Sequence, residues 1–200
     1  NISASAIDTF EECRRKWWYG YVERIRGPKN ESAQRGESIH DLAERYLKGE
    51  VDPDSLQGED VKWWRYLKPG LQFAPTPEQV VDEDWGVENW VKEPCGPLRF
   101  VGKGDFYQLD LEVPTIDDWK STKFVEWDYS KTPGQLRTIF QPRVYAYALL
   151  KDAPPEFVDF HHVNVQSRGK PDAMEVWARN VPWQSILDTW QEGIKVSEQM

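Results

Sequence analysis

The sequence predicts an α/β protein in which a mixed central β-sheet is flanked by helices on both sides. Stretches whose apolar residues recur at helical spacing alternate along the chain with short extended runs rich in aromatic and β-branched residues. The 200 residues are enough to bury a sizeable core, and we predict one domain over residues 1–200. Hydrophobic residues make up 39% and charged residues 30%, which is typical of a globular protein.

Two helices are predicted in the N-terminal quarter. Ser5, with Asp8 three positions later, resembles a capping box, and the apolar spacing that follows predicts a helix over residues 6–19. A second amphipathic helix is predicted over residues 39–47. His40 lies one position off its apolar stripe, where an imidazole can be buried on one side and reach a cleft on the other.

The middle of the chain is harder to interpret, because four prolines break residues 49–79. A short helix is predicted over residues 60–67, and one or two strands over residues 80–91. Glu83 or Glu88 in the latter stretch could supply an additional acid to a site.

A β-hairpin is predicted next, with strands over residues 100–109 and 116–120 separated by a turn near Pro114. Side chains alternate along a strand, so Asp118 and Lys120 share one face of the second strand. Together with Asp105 from the first strand, Asp118 could hold a hard divalent cation, and Lys120 could orient water or stabilise a phosphate. A hairpin with a solvated Asp–Lys pair is the alternative that these residues alone leave open.

The C-terminal half adds a polar loop over residues 121–132, a helix over 139–151, strands over 157–165 and 174–179, and a last amphipathic helix after Pro182. Gln141 and Tyr145 are four residues apart and therefore lie on one face of their helix. His161 and His162 are neighbours on opposite faces of a strand, and we assign both a structural role.

Taken together, the motifs resemble those of the PD-(D/E)XK nuclease superfamily, and their flanks resemble its RecB-like exonuclease branch. The resemblance covers about residues 3–150 and implies a restriction-endonuclease-like core. Four segments occur in the order of that branch: a serine-rich start with a Phe-x-x-Cys and a basic-aromatic tail, Gly36-x-x-x-His40, Asp105 with Asp118-x-Lys120, and Gln141-x-x-x-Tyr145.

This resemblance implies a DNA exonuclease that hydrolyses phosphodiester bonds with one or two Mg²⁺ or Mn²⁺ ions. The ligands that it implies are His40, Asp105, Asp118 and the backbone carbonyl of Trp119. Lys120 would position the attacking water, while Gln141 and Tyr145 would support the metal site or bind a phosphate. A catalytically idle DNA-binding or scaffold module, a structure-specific endonuclease and a hydrolase of another phosphoester remain as alternatives.

A basic-aromatic segment follows the first predicted helix. The net charge of −9 argues against a general nucleic-acid coat, so DNA affinity would have to come from local patches. Arg14, Arg15, Trp18 and Tyr21 combine charge for a DNA backbone with rings for base stacking, and we predict that they bind single-stranded DNA or DNA ends. Cations at a helix end and rings in the core are the alternative.

The cysteines and the lengths of the apolar runs indicate whether an iron–sulfur cluster or a membrane partner is expected. Cys13 and Cys95 are the two cysteines, too few for the four-cysteine cluster found in some RecB-like enzymes, so an iron–sulfur cluster is not expected unless the natural chain continues past Met200. No run of roughly 20 apolar residues is present, so no membrane partner is expected. The absence of a visible signal peptide suggests a cytoplasmic protein.

Overall fold

The fold is described here from a computed structural model, which describes residues 1–25, 27–28, 30–82, 85–88, 90–126 and 130–200. It confirms the predicted α/β class: a five-stranded mixed sheet lies between two groups of helices. The α-helices are α1 (Ala4–Glu12), α2 (Arg14–Trp17), α3 (Glu31–Leu47), α4 (Glu59–Leu67), α5 (Pro77–Asp82), α6 (Pro133–Thr138), α7 (Phe140–Leu150) and α8 (Trp183–Ser197). The strands are β1 (Gly86–Val87), β2 (Trp90–Cys95), β3 (Leu98–Lys103), β4 (Phe106–Gln108), β5 (Thr115–Thr122), β6 (Phe157–Gln166) and β7 (Ala173–Pro182).

The central sheet has the order β1-β4-β5-β6-β7. Only β5 and β6 run parallel, and the other neighbours are antiparallel. A parallel pair needs a crossover connection, which here contains α6 and α7. β2 and β3 form a separate two-stranded antiparallel sheet.

Residues 100–109 do not form one strand, contrary to the sequence-based prediction. The chain leaves β3 at Lys103 and enters β4 at Phe106, and these two strands belong to different sheets. Gly102, near the end of β3, allows close packing, because a Cβ there would lie only 2.3 Å from Cε1 of Tyr145. The break places Asp105 in the connection between the sheets rather than in a strand.

Side chains of β5 point alternately toward two apolar cores. Ile116 belongs to the core shared with α1, α7 and α8, whereas Trp119 belongs to the core shared with α3 and α4. Asp118 and Lys120 therefore lie on the first face and Asp117 on the second, as the period of two predicts.

Helix starts follow the local capping chemistry. The Ser3 side chain accepts a hydrogen bond from Ala6 N, and Asn30 caps α3 in the same way through Ala33 N. The predicted helix over residues 6–19 is interrupted: Cys13 is extended (φ −162°, ψ 104°) between α1 and α2, and Trp18–Val22 forms a π-helical turn. In the region predicted to be strands, α5 precedes the short β1.

No helix in the described part of the chain is long and apolar enough to span a membrane.

Candidate active site

The candidate site lies at the edge of β5 where β4 stops pairing with it. The two strands pair from Gln108↔Thr115 to Phe106↔Asp117, and the chain preceding β4 turns away into β3. At that point Asp105 Oδ2 accepts a hydrogen bond from the Trp119 backbone N, at 2.6 Å. The N–H and C=O of an antiparallel strand residue face the same neighbour, so the Trp119 carbonyl also faces this edge.

His40, Glu88 and Asp105 form a set of potential metal ligands. One ligand atom from each residue lies within 4.8 Å of the others, and His40 Nδ1 is 3.6 Å from Asp105 Oδ1. Ligand atoms about 2.0–2.6 Å from an ion can be roughly 4–5 Å apart, so this set fits one cation. Two carboxylates with one imidazole suit a divalent ion that accepts oxygen and nitrogen ligands.

This set differs from the predicted ligands by including Glu88. Among the described residues it is the only group of three acidic, His or Cys side chains that meets this distance. The combination of His40, Asp105 and Asp118 does not meet it, so Asp118 stands apart from the preassembled group. Its role as a ligand stays a prediction, as does that of the Trp119 carbonyl. Glu83 lies outside the described residues.

Glu88 is held in place by its backbone and by Lys103. Its N–H donates to the Asp105 carbonyl at 2.7 Å, and its φ of +54° is uncommon for a residue other than glycine. Lys103 Nζ lies 2.8 Å from Glu88 Oε2 and 3.0 Å from Glu44 Oε2. Burial raises the pKa of Glu88, although Lys103 opposes this shift. A strained backbone at an acidic cluster is a feature that functional sites retain.

The group borders an open cleft of about 570 Å³. Its walls come chiefly from α3 and from the chain on either side of β3. The lining residues are Gly36, Glu37, His40, Asp41, Glu44, Glu88, Lys103 and Asp105.

On the other side of the β5 edge, Asp118, Lys120 and Gln141 form a connected cluster. Lys120 Nζ lies 2.6 Å from Asp118 Oδ2, and Gln141 Nε2 donates to Asp118 Oδ1 at 3.3 Å. Gln141 Oε1 accepts from Lys120 at 3.4 Å, and Gln141 Nε2 lies 3.5 Å from the Tyr145 hydroxyl. The structure therefore places four predicted site residues together, which follows from β5 packing beside the start of α7.

Electrostatics couples the two halves of the site. Burial disfavours the charged form of His40, but the hydrogen bond and charge of Asp105 outweigh it and raise the pKa of His40. Burial also disfavours the charged form of Asp105. His40, Lys120 and the hydrogen bond from the Trp119 backbone N–H outweigh burial and lower the pKa of Asp105. For Lys120, burial is outweighed by Asp118 and Asp105, which raise the pKa of the ammonium. Lys120 is consequently a cation at neutral pH rather than a base.

His162 is a site neighbour that sequence reasoning missed. It is only 3% exposed, and its Nε2 lies 3.2 Å from Asp118 Oδ2, opposite Asp118 in the parallel register of β5 and β6. Neither ring nitrogen makes a hydrogen bond of good geometry. Burial lowers the pKa of His162, so the ring is neutral. A clue existed in the sequence, since polar residues in an otherwise apolar strand need partners.

His161 points to the opposite face, as predicted, and joins a buried polar network. Its Nδ1 contacts Asp117 Oδ1, its Nε2 lies 3.1 Å from Glu175 Oε2, and its ring stacks on Trp177 at 3.8 Å between centroids. These contacts link β5, β6 and β7 directly behind the site. They support the structural role assigned to His161.

Comparison with known proteins gives information on the fold and on the N-terminal part of the chain. A family model described as the PD-(D/E)XK nuclease superfamily matches residues 1–90. The crystal structure of a "Putative exonuclease" from Eubacterium rectale aligns with a TM-score of 0.61 at 11% identity, covering 98% of this chain and 80% of that chain. The structure of SSO0001 aligns over 98% of this chain and 75% of that chain with a TM-score of 0.44 and 12% identity, too low to establish a shared fold. A search of curated proteins gave no match.

Residues 1–90 of the chain are similar to the PD-(D/E)XK nuclease superfamily, and this match covers a little under half of the 200 residues. Asp105, Asp118 and Lys120 occur in the order of the superfamily motif, although Asp105 lies in a connection rather than in a strand. Superfamily members use divalent metals, and the acidic and His side chains grouped here are potential ligands for one.

The predicted DNA-binding residues lie at the surface. Trp18 is 50% and Tyr21 38% exposed, while Trp17 beside them packs edge-on against Phe10 of the core. Arg14 donates to Gln199 Oε1 at 2.8 Å, and the Arg15 guanidinium lies 5.7 Å from the centroid of the Tyr19 ring. DNA binding by this segment stays a prediction. Arg26 and Lys29, which extend its charge in the sequence, lie outside the described residues.

Both cysteines are free thiols: Cys13 is exposed and Cys95 is buried. Burial raises the pKa of the Cys95 thiol. The expectation that the protein holds no iron–sulfur cluster stays a prediction.

Proposed function

We propose that the protein is a divalent-metal-dependent DNA exonuclease of the RecB-like branch, using Mg²⁺ or Mn²⁺. One observation carries the proposal. A set of metal ligands, His40, Glu88 and Asp105, lies on one side of the β5 edge, and the Asp118–Lys120 pair lies on the other. The match of residues 1–90 to the nuclease superfamily supports a nucleic acid as the substrate class, and the choice of DNA and of exonuclease action rests on the RecB-like motifs.

His40, Glu88 and Asp105 would hold the cation, with Asp118 and the Trp119 carbonyl completing its shell. The bound cation would supply Lewis-acid polarisation of the scissile phosphate. Asp105 is prepared for this role because the Trp119 N–H already orients one of its oxygens and His40 faces the other. The lowered pKa of Asp105 keeps the carboxylate ionised at neutral pH.

Lys120 would act on the phosphate and on water. Its ammonium is charged and donates to Gln141, which also binds Asp118, so its position is fixed from two sides. A fixed cation beside a phosphodiester stabilises the negative charge that develops in the transition state. Gln141 would orient both partners, and Tyr145 would hold Gln141.

The decisive experiment is degradation of end-labelled linear and of circular DNA, single- and double-stranded, with Mg²⁺, Mn²⁺ or EDTA. Progressive loss of the end label from linear DNA, with circular DNA intact and no activity in EDTA, is the expected result. Cleavage of circles would instead show an endonuclease. Binding without cleavage under every metal condition would show an idle DNA-binding module and overturn the proposal.

A further inference from the structure

We propose that a cationic groove on the far flank of α3 binds phosphates of the nucleic-acid strand whose scissile bond lies in the cleft. This inference rests on the proposed function. The groove consists of two adjoining cavities, of about 320 and 470 Å³, that share Arg35, Lys62 and Trp63. It is separate from the segment around Arg14 and from the metal-ligand group.

Three cations from three different elements converge on the first cavity. Arg35 comes from α3, Lys62 from α4, and Arg168 from the turn between β6 and β7. Such convergence has to be explained in a chain whose net charge is −9, because cations placed together repel each other. A bound polyanion gives that arrangement a purpose, and arginine is well suited to phosphate.

Glu31 occupies the position where an anion would bind. Its Oε2 lies 2.5 Å from Arg35 Nη2 and 3.7 Å from Arg168 Nη2, so one carboxylate faces two guanidinium groups. The Glu31 side chain is 77% exposed, and an exposed ion pair contributes only ~0–1 kcal/mol to stability. A phosphate could therefore displace it at small cost. Glu59, which lines the second cavity, is the other acid of the groove.

The groove and the cleft flank the same helix. Arg35 lines the groove and its neighbour Gly36 lines the cleft. Gly36 packs against β5, because a Cβ there would lie 2.7 Å from Ser121 Oγ, one residue beyond Lys120. The turn carrying Arg168 is attached to the same strand end, where Ser167 N and Oγ donate to the Thr122 carbonyl at 2.8 and 3.0 Å. A nucleic-acid strand that crosses the end of β5 can therefore contact both the groove and the cleft.

The charges of the cleft and of the groove determine where the nucleic-acid strand is bound. The cleft is lined by Glu37, Asp41, Glu44, Glu88 and Asp105 against the single cation Lys103, with His40 beside them. A polyanion gains little from that wall without bound metal. The affinity for phosphates away from the scissile bond must come from other surfaces, and the groove supplies three cations beside the cleft.

The test measures binding of a fluorescein-labelled oligothymidylate by anisotropy in EDTA, so that cleavage does not interfere, over a series of NaCl concentrations. Arg35→Ala and Arg168→Ala should each weaken binding and flatten the log-log salt slope by roughly 0.7 per lost phosphate contact. Lys62→Ala should act in the same direction. Arg65→Ala is the matched control, because Arg65 is an exposed residue of α4 that lines neither cavity.

Glu31→Gln is a more specific test than the cation variants, because it should strengthen binding of the oligothymidylate. Removing the competing carboxylate should raise affinity roughly 1.5- to 5-fold, the equilibrium factor of an exposed ion pair. Glu192→Gln changes the net charge equally at another exposed pair, with Lys195 on α8, and should leave affinity nearly unchanged. A groove that only supports packing predicts no gain for Glu31→Gln, and that result overturns the inference.

The two failures are distinguishable. If the wild-type protein cleaves DNA with Mg²⁺ or Mn²⁺ but all groove variants keep its salt slope, the groove inference is wrong and the nuclease stands. If the wild type never cleaves, the proposed function is wrong whatever the slopes are. Melting temperatures recorded for each variant separate lost binding from lost folding, and Glu31→Gln remains informative if an arginine variant unfolds.

Discussion

The Asp105 carboxylate accepts a hydrogen bond from the Trp119 backbone N–H across the edge where β4 and β5 separate, at 2.6 Å. A side chain thus takes the place of the strand that has turned away. The bond fixes one carboxylate oxygen and directs the other toward His40, 3.6 Å away. The same contact gives the Trp119 N–H an acceptor and orients a candidate metal ligand, so the two roles can be separated by mutation.

Asp105→Asn should separate them. An asparagine can still accept the Trp119 N–H through its amide oxygen, so folding should be kept while the charge is lost. Asp105→Ala leaves that N–H without its partner and should lower the free energy of unfolding by roughly 1–3 kcal/mol. Both variants should lose Mn²⁺ affinity in calorimetry, and normal affinity in Asp105→Asn would place the metal elsewhere.

Glu88→Gln should weaken Mn²⁺ binding at least roughly tenfold, the lower range for losing a group that orients or binds a metal. Glu44→Gln is its matched control. Both acids contact Lys103, at 2.8 and 3.0 Å, but only Glu88 belongs to the ligand set. Calorimetric titration of the two variants compares them directly. Equal affinities would show that Glu88 merely pairs with Lys103.

Lys120→Ala should reduce cleavage roughly 10²–10³-fold, the usual effect of removing one group that stabilises transition-state charge. Metal affinity should change little, because an ammonium is not a ligand. Lys195→Ala, an exposed lysine on α8, is the control for lost charge. Single-turnover cleavage at saturating Mn²⁺ is the measurement, and near-normal rates in Lys120→Ala would remove Lys120 from the mechanism.

The comparison of sequence and structure separates local from long-range information. Strand period correctly predicted that Asp118 and Lys120 share a face, and helical period that Gln141 and Tyr145 do, because both patterns depend on backbone geometry alone. The break between β3 and β4 was missed because apolar and aromatic residues at both ends of residues 100–109 suggested one strand. Gly102, Lys103, Gly104 and Asp105 interrupt that run, but they do not reveal that the two halves belong to different sheets.

The neighbours of the site depend on strand register, which a single sequence does not reveal. His162 lies beside Asp118 because β5 and β6 pair in parallel with those two residues opposite each other. Glu88 lies near His40 because the Glu88 N–H donates to the Asp105 carbonyl and Glu88 itself has a positive φ. The sequence offered Glu88 as a possible additional acid, but the fold was needed to show which residues Glu88 and His162 contact.

Divalent cations should stabilise the folded protein specifically. A ligand that binds only the folded state stabilises it by about 2.7 kcal/mol at a hundredfold excess over Kd, which is roughly 5–10 °C in Tm for a chain of this size. The ligand set of His40, Glu88 and Asp105 supplies the binding. Thermal melts with millimolar Mg²⁺ or Mn²⁺ should show the shift, and NaCl of equal ionic strength should not. A rise in both salts would indicate simple charge screening.

His162→Ala should reduce cleavage or Mn²⁺ affinity roughly 10–100-fold, although His162 is outside the ligand set. The neutral imidazole lies 3.2 Å from Asp118 Oδ2, whereas Gln141 contacts the other oxygen, Oδ1. Without the ring, Asp118 loses a neighbour beside Oδ2, and this leaves space into which the carboxylate can rotate. His162→Gln keeps an N–H donor and should recover part of the loss.

A cavity alone would not give this pattern. Val158→Ala, in the fully buried part of the same strand, removes volume on the same face without touching Asp118. It should lower Tm but leave metal affinity and the rate at saturating Mn²⁺ unchanged. If His162→Ala lowers only Tm, as Val158→Ala is expected to do, then His162 is a packing residue. Recovery of metal affinity in His162→Gln without recovery of Tm is the outcome that only positioning of Asp118 explains.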